Sequence, residues 1–237
     1  MATVVITDGR RRYLVDTNQR SFSTKDGMLD LTKARIGKPL KSNIGKTFYI
    51  LKPSFLDKLL LSKRGPAVVL PKDFGAIVAY TGVNHKSLCV DAGSGSGWLA
   101  SQLANICKKV VTYENRKEHA RVASATFKNL GLKNVVLKEK DASKGFSERN
   151  VDLITLDLLH PEKVPFLKSL KVGGYCVVYL PHIGQVKELA RSLAGDAIVE
   201  RVLDVRVEEY FENGRLNKRN KIRHTAFLVF VRKVLKA

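Results

Sequence analysis

Cysteine is scarce in this 237-residue chain, with three residues, and tryptophan occurs once. Cys89, Cys107 and Cys176 sit apart in apolar company with no C-x-x-C spacing, which predicts buried packing thiols and argues against a disulfide framework. Long apolar runs are missing too. None approaches the roughly 20 residues of a membrane span, and the opening MATVVITDGRRRYLV has no secretion-signal pattern. The expectation is a cytoplasmic protein in a reducing compartment, with no membrane partner. Acidic residues are also few: 22 Asp and Glu face 42 Lys and Arg, for a formal net charge of +20. The remainder is ordinary for a folded protein, 44% hydrophobic and 27% charged, which excludes wholesale disorder.

So basic a surface repels itself and suits a polyanionic partner. The excess is densest at the two ends, with ten basic against four acidic residues in 1–50 and again in 201–237. Arg10, Arg11 and Arg12, with Arg215, Lys218, Arg219, Lys221 and Arg223, read as phosphate-facing surfaces of an RNA-binding protein. Phosphate contacts supply affinity and register without reading sequence. Charge alone stops at nucleic acid.

Residues 1–53 alternate short β-type runs (TVVIT, RYLVD, TFYIL) with turn signals at Asp8-Gly9, Asp26-Gly27 and Gly45-Lys46. That pattern predicts a small antiparallel β domain. A second domain is expected over 54–237. SFLDKLLLSK has helical spacing with Ser54 as N-cap, and Asp73 opens another helix that ends at Gly82. From Ser87 strands and helices alternate through SLCVDAG, GWLASQLANIC, KKVVTYE, RKEHARVASATFKNLG, VVLKEKD, VDLITLD, GGYCVVYLP and IGQVKELARSLAG. This is the rhythm of an α/β fold, a Rossmann-like and mostly parallel sheet with helices on both faces. The last β-type runs, 197–211 and 224–233, predict an antiparallel hairpin at the sheet edge.

The stretch Val90-Asp91-Ala92-Gly93-Ser94-Gly95-Ser96-Gly97-Trp98 falls at a strand-to-helix switch, where such sheets bind ligands. Its glycines permit positive φ and close approach of a ligand. From Gly95 to Ala100 it also satisfies the dinucleotide pattern G-x-G-x-x-A, so a nicotinamide-dependent dehydrogenase is an alternative. Asp91, Glu114, Asp141 and Asp157 each fall at a predicted strand end and are expected to converge on one rim. Glu114 stands where a carboxylate accepts a ribose diol. The carboxylates come from separated strands with no compact ligand loop, which argues against a metal. A cationic ligand with a ribose, such as S-adenosylmethionine, fits better.

With these residues in view, the chain resembles the TrmI family of tRNA (adenine-N1)-methyltransferases in its archaeal form. The resemblance runs over nearly the whole length. Its most particular segments are KRGPAVVLPKDFGAIVAYTG, VDLITLDLLHPEKV and the terminal HTAFLVFVRK, while the glycine loop is shared by many methyltransferases.

The resemblance implies a seven-stranded class I S-adenosylmethionine-dependent methyltransferase domain after the small β domain, and a homotetramer. It implies tRNA as substrate, with the T-loop adenine at position 58, and also 57 in archaeal members, as target. On this chain Gly93, Ser94, Gly95, Ser96, Gly97 and Trp98 would line the methionine and ribose portions of the cofactor. Glu114 would hold the ribose diol, Asp141 the adenine amine, and His119 a neighbouring position. Asp91 and Asp157 complete the cofactor set, and Asp157 also matches the catalytic aspartate. Leu159 stands where family members carry a proline, and Leu70 where an aromatic residue or histidine is common. A class I methyltransferase with another acceptor is the second alternative.

Overall fold

A computed structural model describes residues 3–61, 68–193, 195–212, 216–222 and 224–235. The chain divides into two compact units, Met1–Arg64 and Gly65–Ala237.

The first unit contains strands β1 (Thr3–Thr7), β2 (Arg12–Asp16), β3 (Ser21–Thr24), β4 (Gly27–Asp30), β5 (Pro39–Lys41) and β6 (Thr47–Leu51), then helix α1 (Phe55–Leu61). Four strands form an antiparallel sheet in the order β2-β1-β6-β5, and β3 and β4 form a separate hairpin. Period-two alternation is plain in β6, where Phe48 and Ile50 are buried and Leu51 is exposed. Phe48 and Ile50 meet Val4, Ile6, Val15, Leu29 and Leu31 in one core. Ser54 and Asp57 cap α1 reciprocally: Asp57 N donates to Ser54 Oγ (3.1 Å) and Ser54 N to Asp57 Oδ2 (3.0 Å). Asp57 also pairs with Arg12 of β2 at 3.4 Å. Helix α1 therefore groups with the strands before it.

The second unit contains α2 (Pro71–Thr81), β7 (Leu88–Ala92), α3 (Trp98–Ala104), β8 (Lys109–Tyr113), α4 (Lys117–Leu130), β9 (Val135–Lys138) and β10 (Val151–Leu156). It continues through β11 (Leu170–Leu180), α5 (Ile183–Ser192), β12 (Ala197–Asp204), β13 (Val207–Glu212), β14 (Leu216–Ile222) and β15 (Phe227–Lys233). Seven strands form one sheet in the order β12-β15-β11-β10-β7-β8-β9. Pairing is parallel from β11 to β9, and β15 runs antiparallel to both β11 and β12. This is the mostly parallel, Rossmann-like sheet expected from the strand–helix rhythm, with the seven strands that the resemblance implies.

Successive strand residues point to opposite faces. Cys89, Val110, Leu153, Val177 and Phe230 meet Ile77 of α2, Leu99 and Leu103 of α3, and Phe127 of α4. Val90, Val111, Ile154 and Val178 face the other way, toward Phe146, Phe166 and Val186 and Leu189 of α5. Helix α2 starts at Pro71, two residues before the expected Asp73, because proline suits a first-turn position that needs no donor. It ends at Gly82, which takes φ 68°.

The two final β-type runs pair antiparallel at the sheet edge as expected, but the first run is split. β12 stops at Asp204 and pairs with β15, while β13 and β14 pair only with each other. Beyond Val205 the sequence turns polar, with Glu208, Glu209 and Glu212 in β13 and Lys218, Arg219 and Lys221 in β14. Among the described residues no helix is long and apolar enough to cross a membrane.

Candidate active site

The chain leaves β7 at Ala92 and turns through Gly93, Gly95 and Gly97, at φ 90°, 52° and 79°, into α3. Two of these glycines are required by their neighbours. A Cβ at Gly93 would collide with the backbone carbonyl oxygen of Asp157, and one at Gly97 would lie 2.8 Å from the Phe127 ring of α4. Gly93 N and Ser94 N donate to Tyr113 O at 3.0 and 3.3 Å, and Asp157 N donates to Ala92 O at 3.0 Å. The loop is thus held between the ends of β8 and β10.

Since β10, β7, β8 and β9 are adjacent, their carboxyl ends cover roughly 14 Å at about 4.8 Å per strand. Asp157, Asp91, Glu114 and Asp141 follow in that order. Glu114 is buried, and its two oxygens accept from Gly95 N (3.1 Å) and Arg116 N (3.0 Å). His119, in the first turn of α4, places Nδ1 3.9 Å from Glu114 Oε2. Asp141 is exposed and caps the short turn after β9, accepting from Ser143 N at 2.9 Å. That bond, with the Ser143 hydroxyl and then the charge of Lys144, holds its carboxyl below the usual range.

Asp91 is not on the open rim. It is 1% exposed and lies beneath the loop, accepting from Thr112 Oγ1 and Thr155 Oγ1 at 2.7 Å each. Those threonines come from the flanking strands β8 and β10, so Asp91 supports the row from inside the sheet. Burial pushes its carboxyl up against the pull of the two hydroxyls, and the charge of Glu114 adds to the rise. Burial, then the charge of Asp91, raises Asp157 to about 6. Among the described residues no Lys or Arg pairs with Asp91, Glu114 or Asp157.

Two spaces adjoin the row. A narrow crevice of about 10 Å³ is lined by Val68, Val69, Ser94, Ser96, Trp98 and Asp157. It holds about one water. Ser96 Oγ is buried with no hydrogen-bond partner. An open cleft of about 640 Å³ lies toward Asp141, walled by Tyr113, Lys144, Phe146 and Ser147. An orphaned hydroxyl, a glycine turn without Cβ atoms and carboxylates with no Lys or Arg partner among the described residues fit a ligand with a cationic tail and a ribose, as S-adenosylmethionine has.

Sequence reasoning did not find the threonines that hold Asp91, although a polar residue in each of the apolar runs VVTY and LITL was a usable signal. It also did not find a buried cluster at the start of α2. Lys72 Nζ donates to Asp73 Oδ1, Val205 O and Thr225 Oγ1 at 2.7 Å each, and Asp73 Oδ2 accepts from Thr225 Oγ1 at 3.1 Å. Tyr179 Oη lies 3.4 Å from Asp73 Oδ2, and burial, with the charges of Asp73 and Asp157, raises this phenol to about 12. Leu70 is the residue before α2, and Leu159 is 77% exposed beyond Asp157.

Of the expected phosphate-facing residues, Arg11 pairs with Asp26 at 2.9 Å and Arg12 with Asp57 at 3.4 Å. Both stay exposed, and surface pairs of this kind are weak. Arg10 is exposed in the turn between β1 and β2. Lys218, Arg219 and Lys221 fall in β14, but their side chains lie outside the described part; Arg215 and Arg223 lie outside the described residues altogether.

The family model described as tRNA methyltransferase complex GCD14 subunit matches residues 46–225. The chain is 31% identical to the tRNA (adenine(57)-N(1)/adenine(58)-N(1))-methyltransferase TrmI of Methanocaldococcus jannaschii, over 97% of this chain and 94% of that protein. The crystal structure of tRNA (m1A58) methyltransferase TrmI from Aquifex aeolicus superposes with TM-score 0.83 at 26% identity, covering 98% and 97% of the two chains. A SAM-dependent O-methyltransferase structure from Thermotoga maritima gives TM-score 0.90 at 30% identity, covering 99% and 94%. The motif-level resemblance and the sheet order therefore agree, and the dehydrogenase alternative falls away: the chain belongs to the TrmI family of tRNA (adenine-N1)-methyltransferases.

Proposed function

We propose that this protein transfers a methyl group from S-adenosylmethionine to N1 of an adenine in the T-loop of tRNA, at position 58 and also at 57. The carrying observation is the row of carboxylates at the strand ends that no Lys or Arg among the described residues pairs with, in a chain whose charge otherwise suits a polyanion. The two-position reading follows the name of the M. jannaschii relative.

When bound, S-adenosylmethionine supplies an electrophilic methyl group. Gly93 to Trp98 line its methionine and ribose portions, with Ser96 Oγ as a free hydrogen-bonding group. Glu114 holds the ribose diol, His119 lies by the adenosine, and Asp141 accepts from the adenine amine at the open cleft. Asp91 sets the negative field of the row from beneath the loop. Asp157 accepts a hydrogen bond from N6 of the target adenine and stabilises the positive charge that N1 methylation puts on the ring. It also takes the N6 proton, and a carboxyl titrating near 6 is matched to that transfer at neutral pH. The base must first leave its tertiary pairing so that N1 is exposed.

Arg10, Arg11, Arg12, Arg215, Lys218, Arg219, Lys221 and Arg223 bind tRNA phosphates in this reading. The protein acts in the cytoplasm as a homotetramer. The exposed Ile198 and Val202 on edge strand β12 support self-association. A monomer mass by light scattering would overturn that assembly. The reaction is tested by incubating the protein with unmodified tRNA and labelled cofactor, then locating the modified nucleoside by mass spectrometry. N1-methyladenosine in the T-loop is expected; label on another base, or none on RNA, overturns the reading.

A further inference from the structure

Cys89 and Cys107 place their sulfurs 3.4 Å apart in the core. Cys89 lies on β7, 0% exposed; Cys107 follows α3 and is 5% exposed. Residues 90–106 between them comprise the end of β7, the glycine loop and α3. Both backbones are fixed. Cys89 is paired in the sheet between β10 and β8. Cys107 N donates to Leu103 O at 2.8 Å, and Asn134 Nδ2 donates to Cys107 O at 3.0 Å.

We propose that Cys89 and Cys107 close into an intrachain disulfide when the protein meets a low-molecular-weight disulfide oxidant, stapling both ends of the segment that carries the cofactor loop. A sulfur–sulfur bond is about 2.05 Å long, so closure needs roughly 1.4 Å of approach.

The roles of the two thiols differ. Cys89 donates its hydrogen to Cys107, and that bond lowers the Cys107 thiol; the same contact and burial raise Cys89. Cys107 thiolate attacks one sulfur of the oxidant and expels a thiolate. Cys89 then attacks the Cys107 sulfur of the mixed disulfide, and its proton goes to the second departing thiolate. The protein loses two protons and two electrons, and the oxidant takes them up to become two thiols. Cys176 is 0% exposed on β11 and packs into the core on the opposite face of the sheet, so it serves as an internal control.

The test incubates the native protein with hydroxyethyl disulfide, quenches with acid, alkylates under denaturing conditions and maps the peptides. The expected product carries a Cys89–Cys107 link with Cys176 alone alkylated. Its melting temperature should rise by roughly 5 °C, and dithiothreitol should reverse the rise. Cys107→Ser should abolish both the link and the oxidant-dependent rise. Three alkylated cysteines, a lasting adduct on Cys107, a link through Cys176, or a link without added thermal stability would each overturn the proposal.

Discussion

The backbone carbonyl of Asp157 fills the space that a side chain at Gly93 would need. The glycine loop and the end of β10 are therefore one fitted unit, and the carboxylate of Asp157 is positioned by a contact its own side chain does not make. In Gly93→Ala the new methyl must displace Asp157, and φ 90° adds strain of about 1 kcal/mol or more. S-adenosylhomocysteine affinity should fall at least tenfold. Isothermal titration showing an unchanged affinity would refute this coupling.

Asp157→Asn should separate activity from stability. The folded protein raises this carboxyl from 3.8 to about 6, so folding favours its protonated form. The sign follows: stability is highest below 3.8 and declines as pH rises through 6, by up to about 3 kcal/mol. At pH 7.5 the amide removes that penalty, so Asp157→Asn should melt higher than the wild type, with the gap closing near pH 4. Turnover should fall at least roughly a hundredfold. Near-normal turnover would defeat the catalytic assignment.

Glu114→Gln keeps the shape of the side chain and removes its charge. The amide has one acceptor oxygen for the two backbone donors that Glu114 now serves, Gly95 N and Arg116 N. Cofactor affinity should drop about tenfold and stability by about 1–3 kcal/mol. At saturating cofactor, turnover should stay within a few fold. Equal losses in turnover and affinity would contradict a binding role.

His224 provides a pH test away from the row. Nε2 lies 2.9 Å from Pro181 O and Nδ1 3.2 Å from Asp204 Oδ1, and the Pro181 carbonyl, then Asp204, raise the imidazole above its ordinary 6.5. This stabilisation is complete below 6.5 and disappears as pH climbs through the folded value. The melting-temperature gap between wild type and His224→Gln should be larger at pH 6 than at pH 8.5. Gaps of equal size would show that charge is not involved.

Much of the architecture was legible because its signals are local. Alternation gave the strands, Ser54 and Gly82 marked helix ends, and the glycine loop marked the ligand-binding turn. What was not legible depends on neighbours distant in sequence. Asp91 lies at a strand end like Glu114, yet Thr112 and Thr155 on either side draw it under the loop, and no spacing in one strand reveals that. The antiparallel edge pair in 197–233 was legible, but its inner limits were not: β-type residues continue past Asp204, and only the register of β15 shows where β12 ends. The Cys89–Cys107 contact joins residues whose spacing matches no motif.

Asp204 pairs with Phe227 across β12 and β15, so the chain leaves the large sheet and rejoins it at adjacent points. The β13–β14 hairpin between them is a detour that the seven strands do not need, whereas Val205 and Thr225 at its two feet bind Lys72 of α2. Evolution can lengthen, shorten or recharge that excursion without retuning the catalytic scaffold. Divergence among relatives should therefore accumulate there first, and a shortened version bridged by a tight turn is a natural starting point for redirecting which RNAs are accepted.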